Sequence, residues 1–232
     1  MPTVTWSASI PASKGDMPRA RVLRSMQEVG AADWNALDLK GRPFLRHEFL
    51  LAAELSGSAS ADTGWTPVHL VVETAGTLVG AMPLYLKSHS WGEFVFDFAW
   101  ARAYEQHGLA YYPRLVSAAP FTPATGPRLL VRPGADADVV RTALLAGARE
   151  LMRETGASSL HVLFADAADR EWLAGQGLLP RLDCQFHWLN AGFADFDAFL
   201  GSFTAEKRKK ARRERRRVAE AGIEFVELHG GD

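Results

Sequence analysis

Apolar residues recur along this chain with two alternating periods, and the changes of period mark out its elements. Trp34 and Leu37 fall at helical spacing within Ala31 to Leu39, and Phe44 to Leu55 reads as a second helix stopped by Gly57. Arg21 to Met26 precedes them as a short strand. The period then shortens: Thr66 to Glu73 and Thr77 to Lys87 are rich in Val, Leu and Tyr on either side of Thr74-Ala75-Gly76, which is a hairpin signal. Arg128 to Arg132 reads as a strand, Asp138 to Glu154 as a helix with Val140, Ala143, Leu144, Gly147 and Leu151 on one face, and Leu160 to Phe164 as a buried strand. A short helix over Arg170 to Gln176 ends at Gly177. Beyond it Leu182, Cys184, Phe186 and Trp188 alternate with polar residues as in a half-buried strand. Together these predict an α/β fold with one mixed central sheet flanked by helices.

The end of the chain changes that picture. Residues 207–217 carry nine cations and one acid, in a chain whose formal net charge is only -1, which leaves about -9 on the remainder. Thr204 is a suitable N-cap and Gly222 a stop for a helix over Ala205 to Ala221, and Ile223 to Leu228 begins a new strand. Such polarity suits an anionic partner. Three readings of the helix compete: a solvated face, a DNA-reading region, which would need a dimerising zipper that Gly222 and a strand replace, and a helix with one packed stripe. On that stripe lie Arg208, Ala211, Arg215 and Val218, so Arg208 and Arg215 are the candidates for specific anion contact, with Lys210, Arg213 and Arg217 supplying diffuse attraction.

With 232 residues and 47% apolar content the chain can bury a large core. A single Cys184 excludes an intrachain disulfide, and the first twenty residues lack the apolar stretch of a secretory signal and are expected to be disordered. A cytoplasmic protein without membrane insertion is the expectation. No metal-ligand cluster or Walker-type loop is visible.

Candidate chemistry gathers in the middle of the chain. Glu93 to Trp100 reads Glu-Phe-Val-Phe-Asp-Phe-Ala-Trp, and Tyr104, His107, Tyr111, Tyr112 and Arg114 follow in a predicted loop. An aromatic core edge is one reading and a pocket wall with polar handles the other, with His107, Tyr111 and Tyr112 as candidate catalytic groups. His161, inside an apolar strand, and Cys184, on the apolar face of its own, read as core. The loop from Pro120 to Arg128, stiffened by three prolines, offers Phe121, Thr122 and Arg128 as a substrate-binding wall.

The blocks Glu93 to Trp100, Tyr111-Tyr112-Pro113 with Pro120 to Arg128, and Gln185 to Asn190 running through Phe196, Phe199 and Leu200 into Lys207 to Arg217 resemble the FemAB-like bacterial family of the GNAT acyltransferase superfamily. The resemblance implies two tandem acyltransferase-like lobes: a first over residues 21–194, then over 195–232 the basic helix and first strand of a second, with the chain stopping just inside it. It implies transfer of an acyl or aminoacyl group to an amine, from acyl-CoA or aminoacyl-tRNA, onto a small-molecule or peptidoglycan-precursor-like acceptor. One departure stands out. The loop expected to cradle a pyrophosphate reads Pro133-Gly134-Ala135-Asp136-Ala137-Asp138, whose two carboxylates would repel it, so this lobe is expected to bind CoA poorly and to hold no cofactor of its own. Three hypotheses follow: a transferase that needs no covalent nucleophile, a non-catalytic RNA- or acidic-partner-binding module using the basic helix, and a structural half whose active partner lies downstream.

Overall fold

The computed structural model describes residues 18–95, 97–184 and 186–229. The expectation of disorder over residues 1–20 therefore falls almost entirely outside the described residues. The chain divides into two compact units, 1–180 and 181–232.

In the first unit β1 (Ala20–Leu23) leads through α1 (Ala31–Asn35) and α2 (His47–Leu55) to a long hairpin whose arms are each interrupted once. One arm is β2 (Trp65–Pro67) and β3 (His69–Thr74), and the other is β4 (Thr77–Met82) and β5 (Tyr85–Lys87). The hairpin turn places Ala75 and Gly76 at φ 48° and 77°, the pair of positive values that matches strand twist. After α3 (Phe98–Gln106) come β6 (Arg114–Ser117), β7 (Leu130–Val131), α4 (Ala137–Thr155), β8 (Leu160–Val162) and α5 (Ala167–Gly175).

Two four-stranded sheets replace the single sheet expected, in the orders β1-β3-β4-β7 and β2-β5-β6-β8. The division follows from the breaks in the hairpin. At Val68 the backbone still donates to Leu84 O, but Pro83 has no N–H to offer, and Leu84 N–H is taken by His69 Nδ1. His69 Nε2–H is thereby directed at Glu54, 3.1 Å away on α2. All pairings are antiparallel except β6 with β8, so the fold is mixed α/β.

Strands β3 and β4 are buried on both faces. Leu70, Val72 and Met82 pack with Val140, Leu144, Ala148 and Leu151 of α4, while Val71, Ala81 and Leu130 pack with Trp34, Leu45 and Leu50 of the α1–α2 side. Each of the Val, Leu and Met side chains among them contributes roughly 1.5–3 kcal/mol of transfer free energy. Helix α4 begins where the Asp136 carboxylate accepts the N–H groups of Asp138 and Val139, and ends on Gly156 in the left-handed region. Its Gly147 is a close-approach position: a Cβ there would lie 2.6 Å from that of Ala20.

Between β6 and β7 the loop over residues 118–129 leaves the sheet. It is held by two buried charges: Arg128 donates to the carbonyls of Ala124, Pro127 and Leu163, and Asp169 of α5 accepts the N–H groups of Arg128 and Leu129 at 2.6 and 3.0 Å. The expected strand over Arg128 to Arg132 is accordingly only two residues long.

The second unit contains α6 (Phe196–Gly201) and α7 (Ala205–Glu220). The alternating residues 182–188 form no strand among the described residues, and Cys184 is exposed instead of buried in a core. Alternation prepares a strand face, but the ladder needs a neighbour. The same holds for residues 223–228, which carry no strand.

Replacing Asp169 by Ala strands two buried N–H groups and the Arg141 guanidinium 3.2 Å away. A loss of about 3–5 kcal/mol in urea unfolding is expected, with Asp169→Asn milder; a loss below about 1 kcal/mol for the Ala variant would show that the loop does not depend on this carboxylate.

Candidate functional site

Register builds the site. On one face of the second sheet, Trp65 of β2 lies opposite Lys87 of β5, and Lys87 lies opposite Arg114 of β6. In the next row Tyr85 faces Val116, which faces His161 of β8. An indole, an ammonium and a guanidinium thus stand side by side. All three are buried.

A buried guanidinium has to be neutralised and hydrogen-bonded, and the segment from Ser90 to Asp97 folds over Arg114 to do so. Nη2 donates to Glu93 and, at 2.9 Å, to Ser90 Oγ, and Nη1 donates to Asp97 and, at 2.6 Å, to the Tyr111 hydroxyl. The Lys87 ammonium sits 3.7 Å from the Trp65 ring centroid and donates to Trp91 O at 3.2 Å, and Trp65 Nε1 donates to that same carbonyl. Two cations and two anions balance inside the cluster. Glu93 Oε1 and Arg114 Nε have no hydrogen-bond partner among the described residues.

Burial dominates the titration of this cluster. Desolvation drives Lys87 down to about 7 and Glu93 up to about 7, against the opposing pull of their charged neighbours. Burial works the same way on Asp97, but hydrogen bonds from Ser90, Tyr111 and Arg114 outweigh it and hold the carboxyl below its usual range. The Tyr111 hydroxyl is pushed up by burial and by its 2.6 Å bond to Asp97.

The hydroxyl directions follow from the partners. Ser90 Oγ donates to Asp97 Oδ1 at 2.7 Å and accepts from Arg114, so the Tyr112 hydroxyl, 2.6 Å away, donates to Ser90. Tyr112 is half-buried, so a chain of two hydrogen bonds runs from the protein surface to the buried Asp97. His161, also half-buried, places Nδ1 3.5 Å from Arg114 Nη1 and Nε2 2.9 Å from Ser159 Oγ.

Of the residues singled out in the sequence, Tyr111 and Tyr112 meet at Arg114. His107 does not join them; it ends α3, exposed, with Nδ1 2.8 Å from Ala103 O. Phe121 stands over Trp65, ring centroids 5.2 Å apart, and Thr122 Oγ1 donates to Pro120 O. Arg128 is buried with its donors committed to carbonyls, and burial lowers it to about 10. In the second unit Arg208 donates to the carbonyls of Leu200, Gly201 and Phe203 at the end of α6, and Arg215 lies over the Phe196 ring at 4.2 Å. Arg208 thus packs on α6 with its donors committed to carbonyls, while Arg215 stays exposed beside Phe196.

Lys87, Ser90, Glu93, Asp97 and His161 were not legible as site residues, and His161 belongs to the polar cluster instead of the apolar core. One signal was available: Glu93 and Asp97 are the only acids between Glu73 and Glu105, and they sit within an aromatic run. Among the described residues no group of His, Cys, Asp and Glu is arranged to hold a metal ion, and no helix is long and apolar enough to cross a membrane.

A second feature lies at the N-terminus of α4, a cavity of about 270 Å³ lined by Lys40, Arg132, Gly134 and Arg141. Its cations are engaged: Lys40 pairs with Asp166 at 2.7 Å, Arg141 with Asp169 at 3.2 Å, and Arg132 donates to Leu78 O at 2.6 Å. The amides that would receive a phosphate already bind the Asp136 carboxylate.

Residues 25–232 match the FemAB-like family, described as peptidoglycan biosynthesis/recognition. The chain belongs to the FemAB-like family. No curated protein matches it. Among solved structures, FemAB-like residues align with an aminoglycoside N-acetyltransferase in complex with CoA (14% identity, TM-score 0.44, covering 76% of this chain and 98% of that one). They also align with a ribosomal-protein-alanine N-acetyltransferase from Brucella melitensis biovar Abortus 2308 (10%, 0.42, 75% and 99%) and an acetyltransferase of Trypanosoma brucei (15%, 0.40, 74% and 99%). Shared outline at that distance says nothing of chemistry.

Two measurements test the site. Because Glu93 titrates higher folded than unfolded, the folded state holds the extra proton between about 4.5 and 7, and stability is lost as pH rises through that window. Glu93→Gln should remove the slope, so the stability of the wild type relative to the variant should fall by about 1–3 kcal/mol from pH 5 to pH 7.5 in urea titrations; parallel curves would show that Glu93 is not buried as a carboxylate. For the cavity, calorimetry with acetyl-CoA should give no low-micromolar binding. Tight binding that is lost when residues 134–138 are changed would contradict the occupied helix terminus.

Proposed function

We propose that this FemAB-like protein is an acyltransferase that moves an acyl or aminoacyl group onto the amine of a peptidoglycan-precursor-like acceptor. The observation that carries the reading is the relay from Tyr112 through Ser90 to Asp97, 2.6 and 2.7 Å in its two links. Attack of an amine on an activated carbonyl forms the C–N bond and leaves a strongly acidic ammonium on the adduct. The proton must leave before the donor's leaving group departs. In this reading Tyr112 accepts it on its open lone pair while passing its own proton to Ser90, and Ser90 passes its proton to Asp97. Asp97 is a weak base, and the step relies on the adduct ammonium being far more acidic than a free alkylammonium ion.

Arg114 then has a positioning role. It fixes the Ser90 oxygen as an acceptor for Tyr112 and stabilises the Asp97 carboxylate, but it is 0% exposed and does not reach substrate. No covalent nucleophile is required, in keeping with direct transfer. The exposed cations of α7, among them Lys209, Arg213 and Arg217, suit an anionic group on donor or acceptor.

The test is acyl transfer to a pentapeptide bearing a free side-chain amine, followed by mass spectrometry with acyl and aminoacyl donors in parallel. Tyr112→Phe keeps the ring and breaks the relay, and should lower kcat about 10²–10⁴-fold with little change in KM. Transfer that is indifferent to Tyr112→Phe and Asp97→Asn would remove the relay from the mechanism, and absence of transfer from every donor class would sink the reading.

A further inference from the structure

In the segment that closes over Arg114, Ser90, Glu93 and Asp97 turn inward while Trp91 and Phe94 turn outward. Trp91 is 70% exposed, Phe94 53% and Phe98 43%, and across from them Phe121 is 43% exposed. Trp91 and Phe98 have ring centroids 6.1 Å apart. Phe121 lies on the backbone of Gly92, where an added Cβ would come within 2.6 Å of its ring, and beneath it is the buried Trp65 that also carries the Lys87 ammonium. Trp91 and Phe98 thus adjoin one another, and Phe121 lies against Gly92, the chain neighbour of Trp91.

Two features show that this surface is held and not merely left over. Phe94 and Phe121 have φ of 56° and 55°, a left-handed backbone that bulky side chains avoid and that persists only where surrounding structure enforces it. The enforcement is visible: Trp91 O is clamped by Trp65 Nε1 and Lys87, Ser90 by Asp97, Tyr112 and Arg114, and Glu93 by Arg114.

The charge offered at the surface narrows the ligand. Lys87, Arg114, Glu93 and Asp97 are buried and balance two against two, and His89, beside the rings, is pushed down by burial and by Lys87 so that it is uncharged at neutral pH. What faces solvent is aromatic faces with the Tyr112 hydroxyl and the His89 imidazole at their border. The planes of Trp91 and Phe98 are tilted by 59°, so the surface presents individual ring faces, and an uncharged ring face complements the axial C–H groups of a pyranose, which carry partial positive charge, with hydroxyl and amide groups left for the polar border. A nucleic acid or an anionic membrane would call for exposed cations here.

We propose that Trp91, Phe98 and Phe121 form a stacking platform for an uncharged sugar ring of a glycan. The proposal rests on the transferase reading for its place in function, supplying the acceptor's sugar subsite, and on the geometry alone for its existence.

Calorimetry and saturation-transfer NMR with the N-acetylglucosamine tetramer test it on the full chain. Saturable binding with transfer concentrated on the sugar ring protons is expected, weakened at least tenfold by Trp91→Ala. Phe121→Leu, which keeps apolar volume and removes the ring face, should weaken it several-fold at an unchanged melting temperature, so a Trp91 variant that fails to fold does not end the test. No saturable binding, or binding equal in wild type and Phe121→Leu, overturns the platform. Sedimentation with phosphatidylcholine vesicles that depends on Trp91, in a protein that ignores the sugar, would overturn it in favour of a lipid surface. Sugar binding without acyl transfer would overturn the transferase reading and keep the platform, and transfer without sugar binding would do the reverse.

Discussion

A guanidinium placed in the middle of an apolar sheet has to be neutralised, and the site is the consequence of that requirement. The penalty for burying such an ion is several kcal/mol even after relaxation. Arg114 meets it by drawing in Glu93 and Asp97 and by ordering Ser90, Tyr111 and the neighbouring Tyr112. Ordering a loop of this length costs roughly 1–2 kcal/mol per residue, so the segment is held only because the buried charges reward it. Once Glu93 and Asp97 point inward, Trp91, Phe94 and Phe98 are left facing outward. Polar relay and exposed rings are therefore two sides of one constraint.

The other buried arginine shows that a buried cation need not make a site. Arg128 is as enclosed as Arg114, yet its donors meet carbonyl dipoles instead of a contacting carboxylate, and burial lowers its affinity for the proton to about 10. Its work is to close a loop around its own backbone, with Asp169 taking the amides. Arg208 repeats the pattern at the end of α6. Partner chemistry, more than burial, separates a cation that shapes chemistry from one that shapes the chain.

The N-terminus of α4 tells the converse story for anions. A helix terminus flanked by Lys40, Arg132 and Arg141 would suit a phosphate, but Asp136 occupies the free amides and neighbouring acids or carbonyls engage the three cations. The sequence carries this information openly, since the two carboxylates at 136 and 138 stand where glycines would leave the amides bare. An anionic ligand would find no bare amide at that terminus.

Amphipathic period and turn chemistry by themselves determined the Thr74–Thr77 hairpin, the face of α4 and the limits of α7 to within a residue. These are local properties. The long β6–β7 excursion, the helix α3 and the splitting of the sheet were not legible, because Arg114-Leu115-Val116-Ser117 is too short and too evenly buried to show a period. The strand written into residues 182–188 needs a neighbouring edge that no local pattern can provide. Tyr111 and Tyr112 could be suspected from their aromatic surroundings, and Glu93 and Asp97 only from being isolated acids in an aromatic run, while Lys87, Ser90 and His161 carried no signal. They lie on three different segments, and only the folding of these around β6 brings them to one guanidinium, whose need for compensating charge is a property of the folded interior and not of any stretch of sequence.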